Sequence, residues 1–258
     1  MPIDIGDVVS DGYERTVARN GLLFIGIFYL ISLLEGLFLP TPTQSTTLPD
    51  PMGGPGMGPV PAEGMQPYAP SLGFSPVITS LLSLLLGIIS IVVTIGALRT
   101  FVTEETEQIP EAHFRHNLLW AGLNLIIGGI IFGITIAIGF IFLVVPGLFL
   151  LVSLFFWEVY VAVEDQNFIE GFRNSWQLTS GHRLRLFGLG IVIAIIAMLV
   201  SIGFGIPGIV LPDILGFLIA QFGSAFLGVF FLATVAQTYN HLLSMENKPG
   251  VEISEKRM

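Results

Sequence analysis

Residues with the chemistry to act as a catalyst or ligand are few in this chain, and they are scattered. Glu111, His113 and His116 form an E-x-H-x-x-H cluster with the side chains of a metal site. The H-E-x-x-H order of a zinc hydrolase is absent, however, and no further ligand is indicated. Glu104-Glu105 matches the opening of a membrane-protease motif, but Ile109 stands where an arginine is needed. There is no G-x-S-x-G elbow, no phosphate-binding P-loop and no lysine within an apolar run to carry a Schiff base. Cysteine is missing altogether, which removes disulfides, thiolate nucleophiles and thiolate metal ligands. The expectation is a protein that is not an enzyme, with no catalytic residue, metal or cofactor.

The polar groups that remain stand inside apolar runs. Glu35 and Glu158 are carboxylates within such runs, and an acid there is by default a candidate for ion or proton handling. Glu35 lies four residues from the end of its run, within reach of the interface. Glu158 lies between Trp157 and Tyr160 and reads as an interface anchor; if its run were displaced outward it would become buried, within reach of Arg183 or Arg185. Asn124, Gln221 and Gln237 have the chemistry either to line a polar path or to hydrogen-bond between helices, at roughly 0.6 kcal/mol each.

The elements that must position these groups are membrane spans. Hydrophobic residues make up 53% of the chain and charged residues 11%, and the mean hydropathy is strongly positive. A hydrocarbon core of ~30 Å needs roughly 20 apolar residues in a helix. Spans are expected at 21–39, 76–98, 184–204 and 214–243, and the apolar run from Leu118 to Val163 is long enough for two more, 118–139 and 141–163. Gly139 and Pro146-Gly147 are the expected breakers between those two. The fold expected is all-α and polytopic, with six spans arranged as three hairpins.

Every lysine and arginine falls on one side of that plan: Arg15 and Arg19 in segment 1–20, Arg99 and Arg115 in 99–117, Arg173, Arg183 and Arg185 around 164–183, and Lys248, Lys256 and Arg257 in the tail 244–258. The positive-inside bias then places both termini in the cytoplasm of a multi-pass protein of the cell membrane. The first residues carry acids and no small-residue cleavage site, so the first span is expected to stay as an anchor. On the opposite side, segment 40–75 is rich in proline and glycine, with eight prolines and six glycines between Thr41 and Ser75, a composition expected to stay disordered.

The basic-side segments differ, for apolar residues recur in them at helical spacing just before a span. Ile5, Val8, Val9, Tyr13 and Val17 share one helical face; Phe168, Ile169, Phe172, Trp176 and Thr179 share another; Ile109, Ala112 and His116 make a weaker third. Interfacial elbow helices are expected there, each setting the angle of a hairpin. Val145-Pro146-Gly147-Leu148 and Ile206-Pro207-Gly208-Ile209 echo one another and are expected at equivalent outer turns.

The net charge of −9, with most acids on the basic side of the membrane, argues against nucleic acid as a partner. It suits a high-salt cytoplasm, where a Debye length of ~3 Å at about 1 M salt screens neighbouring carboxylates, and so points to a halophilic archaeon.

The stretch from Val145 to Gly190 carries a family cue. Its elements are Pro146-Gly147 ahead of a span, the acid pair Glu164-Asp165 at its end, and Glu170-Gly171-Phe172-Arg173-Asn174-Ser175-Trp176-Gln177-Leu178-Thr179 leading through Gly181-His182 into the next span. It resembles the membrane domain attached to some glycerophosphodiester phosphodiesterases, and related six-span haloarchaeal proteins. That resemblance implies a fold and no catalytic residue, since the phosphodiesterase chemistry of that family sits in a separate soluble domain. The functional expectation is an accessory or scaffold protein that meets lipid headgroups, a protein partner or a second copy of itself through Arg173, Trp176, Arg183 and Arg185. A small-solute transporter or channel lined by Glu35, Asn124 and Gln221 is the alternative.

Overall fold

The structure is a computed structural model that describes residues 4–38, 74–103, 117–211 and 213–246. Among these the chain is all helix apart from short turns: α1 (Ile5–Val17), α2 (Arg19–Phe38), α3 (Pro76–Val102), α4 (Leu118–Phe142), α5 (Val144–Ser153), α6 (Trp157–Val163), α7 (Phe168–Leu178), α8 (Arg183–Val210) and α9 (Asp213–Glu246). Among the described residues six helical stretches are long and apolar enough to cross a bilayer: α2, α3, α4, α5 with α6, α8 and α9. The protein is an all-α, polytopic membrane protein. The expected 40–75 segment falls almost wholly outside the described residues, as do Glu104, Glu105, Ile109, Glu111, Ala112, His113, Arg115 and His116.

The spans are apolar all round because their outer faces meet lipid, so Leu22, Leu84, Ile130, Ile141 and Met198 are exposed. The core is built instead where α9 meets α2, α3 and α8, around Phe24, Ile95, Leu98, Val229, Ala236 and Tyr239. Small residues set the closest approaches. A Cβ on Gly223 would stand 2.6 Å from the Cβ of Phe204, so only glycine lets α8 and α9 cross there.

Three boundaries differ from expectation. The second span continues as helix to Val102, which brings Arg99 inside α3. Gly139 does not end α4; the turn is the single extended residue Leu143, and Gly139 packs on Gly147, where a Cβ would come within 2.9 Å of the opposing Cα. Glycine is used there for backbone approach rather than for a break. The two Pro-Gly echoes are not equivalent: Pro146 lies in the first turn of α5, after its hairpin bend, whereas Pro207 lies in the last turn of α8, before the bend at Leu211. Proline fits a first turn because the N–H it lacks is unpaired there in any case.

Both described elbow segments are helices, each with a side-chain cap. Asp4 accepts from the Gly6 amide at 2.8 Å ahead of α1, and Asn167 accepts from the Glu170 amide at 2.9 Å ahead of α7. Their buried faces match only in part the ones that apolar spacing picks out: Val8 and Thr179 are fully buried and Ile5 and Val9 pack on the core, but the rest of each face differs. In α1 the buried stripe is Val8, Gly12 and Thr16, and in α7 it is Gly171, Ser175 and Leu178. Tyr13 and Val17 are 52% and 40% exposed, and Ile169 and Trp176 are 65% and 40% exposed. The physical reason is distance. Gly12 and Gly171 let each elbow sink against its neighbour, α1 onto Thr234 of α9 and α7 onto the Trp157 carbonyl of α6, and Tyr13, Val17, Ile169 and Trp176 are left on the opposite face.

Candidate functional site

The described basic residues gather at one end of the bundle, and a polar layer ties that end together. Arg99 is 7% exposed; its Nε donates to the Ala162 carbonyl at 2.6 Å and its Nη2 to Asp165 Oδ1 at 2.9 Å. A guanidinium therefore closes the C-terminus of α6, where carbonyls lack helical partners, and pairs with the acid beyond it. Asp165 holds a left-handed backbone, φ 54°, which turns the chain toward α7. Its neighbour Glu164 accepts from the Tyr239 hydroxyl of α9 and from Gln166 Nε2, and Gln166 accepts in turn from Asn174. From α9, Gln237 and Asn240 donate to the Phe101 and Val102 carbonyls at 3.0 and 2.9 Å, capping α3.

Beside this layer the fourth span is broken. Between α5 and α6 the residues Leu154, Phe155 and Phe156 form a turn, although none of them is a helix breaker. The side chain of Ser175 from α7 enters the gap, where its hydroxyl accepts from the Phe156 amide at 3.0 Å and donates to the Ser153 carbonyl at 3.1 Å. Thr179 donates to the same carbonyl at 3.2 Å. Two backbone groups that would be orphaned in an apolar setting are thus satisfied by the elbow helix, as a break inside a membrane requires.

The break leaves Glu158 in the first turn of α6, facing two adjoining cavities. The larger, about 410 Å³, is partly open and lies among α3, α4, α6, α8 and α9, with Leu98, Phe132, Glu158, Ile193 and Phe231 on its walls. The smaller, about 190 Å³, brings Ser90, Thr94 and Gly129 to the same carboxylate. Among the described residues no Lys, Arg or His pairs with Glu158.

The other residues singled out from sequence are dispersed. Asn124 is buried, but its amide donates to the Trp120 carbonyl and accepts from the Phe168 amide at 3.1 Å, so it fixes the start of α7 and lines neither cavity. Gln221 and Glu35 are partly buried on α9 and α2 and line neither cavity, with Gln221 Nε2 3.6 Å from where a Cβ on Gly36 would stand. They do not form one path with Asn124. Arg183 does not reach Glu158; its guanidinium lies 4.6 Å from the centroid of Phe149 and 4.5 Å from that of Trp176, and it donates to the Trp176 carbonyl at 3.4 Å. Cation–π contact with two rings holds it at the outside of the elbow. Arg173 and Arg185 are exposed nearby. Among the described residues no group of three His, Asp or Glu side chains is placed to hold a metal ion.

Sequence reasoning missed Arg99 as a buried group and missed Ser175 and Thr179 as caps. The one signal available was a lone arginine ending an apolar run, with the acid pair Glu164-Asp165 ending another. A family model described as "Domain of unknown function (DUF7847)" matches residues 3–242, and the chain belongs to that family. No curated protein and no solved structure matches the chain.

Proposed function

We propose that this is a non-enzymatic accessory protein of the cell membrane, with both termini cytoplasmic, which holds lipid at its cytoplasmic face through the elbow helices. The observation that carries this reading is the division of labour on α1 and α7: Val8, Gly12 and Thr16, and Gly171, Ser175 and Leu178, pack against the bundle while Tyr13, Val17, Ile169 and Trp176 are presented outward. Bulky apolar and aromatic residues on the free face of a helix at the basic end of a span bundle are the composition of a membrane interface. Arg183, stacked on Phe149 and Trp176, and the exposed Arg173 and Arg185 stand where anionic headgroups lie, each worth ~1 kcal/mol of attraction. The acid-rich composition fits a halophilic archaeon, and the likeness of Val145–Gly190 to a membrane domain that accompanies a separate catalytic domain fits an accessory role.

The test is retention of lipid. Protein purified in mild detergent and released in a native mass spectrometer should carry anionic phospholipid, and Arg183→Ala with Trp176→Ala should lose most of it. Equal lipid retention by the variant and the parent would remove the elbow from this role.

A further inference from the structure

We propose that the cavity at Glu158 is a binding site for lipophilic monovalent organic cations, amines or onium ions with an apolar body. Three observations lead to this ligand class. The first is charge: a carboxylate faces the cavity within the span Val144–Val163, and among the described residues no cation answers it. A carboxylate within an apolar span is unfavourable without a counter-charge, and a bound cation offsets that cost.

The second is the wall. At about 410 Å³ the larger cavity is of ligand size, and apart from Glu158 its lining is apolar and aromatic, with Phe132, Phe155, Trp157 and Phe231 among the rings. Such a lining takes an apolar ligand body, and ring faces favour a cation over an anion. The third is that the space is kept open by glycine. A Cβ added at Gly190 in the larger cavity, or at Gly129 in the smaller, meets nothing within 4 Å. Ser90 and Thr94, one helical turn apart, line the smaller cavity together with Glu158, and a hydroxyl oxygen can accept from an ammonium N–H. A buried carboxylate that simply kept a proton would leave a neutral cavity with no preference of charge, and this is the distinction to test.

The experiment uses the full chain in lipid nanodiscs, with empty nanodiscs as the partition blank. Tetraphenylphosphonium and tetraphenylborate have the same shape and opposite charge. The expected result is saturable binding of the phosphonium alone, weakened at least about tenfold in Glu158→Gln. Gly190→Val, whose Cβ meets nothing within 4 Å, should weaken it as well. Equal binding of the two ions, no saturable binding, or unchanged affinity in Glu158→Gln would overturn the proposal. Should Glu158→Gln fail to fold, the comparison of the two ions on the parent chain and the Gly190→Val result decide it.

Discussion

Replacing Ser175 by alanine tests how the broken span is held. Its hydroxyl accepts from the Phe156 amide at 3.0 Å and donates to the Ser153 carbonyl at 3.1 Å, in a fully buried setting. Alanine leaves the Phe156 N–H without a partner, whereas the Ser153 carbonyl keeps Thr179 at 3.2 Å. An orphaned buried donor costs ~1–3 kcal/mol, so Ser175→Ala should destabilise by about 2 kcal/mol. Thr179→Val leaves Ser175 in place and should cost only about 0.6 kcal/mol, the usual worth of a hydrogen bond between membrane helices. In the Ser175→Ala background the same Thr179→Val change strips the Ser153 carbonyl of its last side-chain donor, and should cost at least about 0.5 kcal/mol more than it does alone. Denaturant titration in mixed micelles, followed by tryptophan fluorescence, measures all four forms; Trp157 lies directly after the break and reports on it. A Ser175→Ala protein within about 0.5 kcal/mol of the parent, or a Thr179→Val cost as large as that of Ser175→Ala, would refute this account of the break.

Two further substitutions probe the contacts that seat α1 and α6. Gly12→Ala places a Cβ 2.4 Å from Thr234 Oγ1 and 3.0 Å from its Cα, an overpacking expected to cost ~1–3 kcal/mol. Thr234→Ala should recover part of that loss by removing the nearer atom, read in the same titration; no recovery would mean that α1 does not seat on Thr234. Arg99→Met removes the guanidinium from Asp165 and the Ala162 carbonyl and should cost about 1–3 kcal/mol, the loss of buried hydrogen bonds, and adding Asp165→Asn, which suits the left-handed backbone, should restore some of it. Strict additivity of that pair would argue that the ion pair is not formed.

The number and rough placement of the spans are legible in the sequence because a run of apolar residues in a bilayer admits one backbone solution, the helix. The finer features are not, and for identifiable reasons. The break at Leu154–Phe156 is made by a hydroxyl 19 residues away in sequence, in a stretch whose own residues favour helix. Arg99 reads as a loop cation until Asp165, 66 residues on, is folded against it. The elbow helices are legible as helices, and apolar periodicity selects Val8 and Thr179, which are buried, but also Tyr13, Val17, Ile169 and Trp176, which face outward. The contact face also takes in Gly12 and Thr16 on α1 and Gly171 and Ser175 on α7, small residues that carry little hydropathy and gain their energy from close approach. Glu158 was expected to be buried only if its span moved outward; the break at residues 154–156 puts it beside a cavity, and Arg183 is taken up by two aromatic rings.

The measurement that bears most directly on the central claim is the environment of the outward face of α7. The chain contains no cysteine, so single substitutions Ile169→Cys, Arg173→Cys, Ser175→Cys and Trp176→Cys can each carry one nitroxide label in nanodiscs. Collision rates with oxygen, which partitions into lipid, and with a nickel chelate, which stays in water, locate each label. The account predicts oxygen-dominated contact at 169 and 176, chelate-dominated contact at 173, and little contact with either at 175. Chelate-dominated contact at both 169 and 176 would contradict it, since α7 would then face water and hold no lipid.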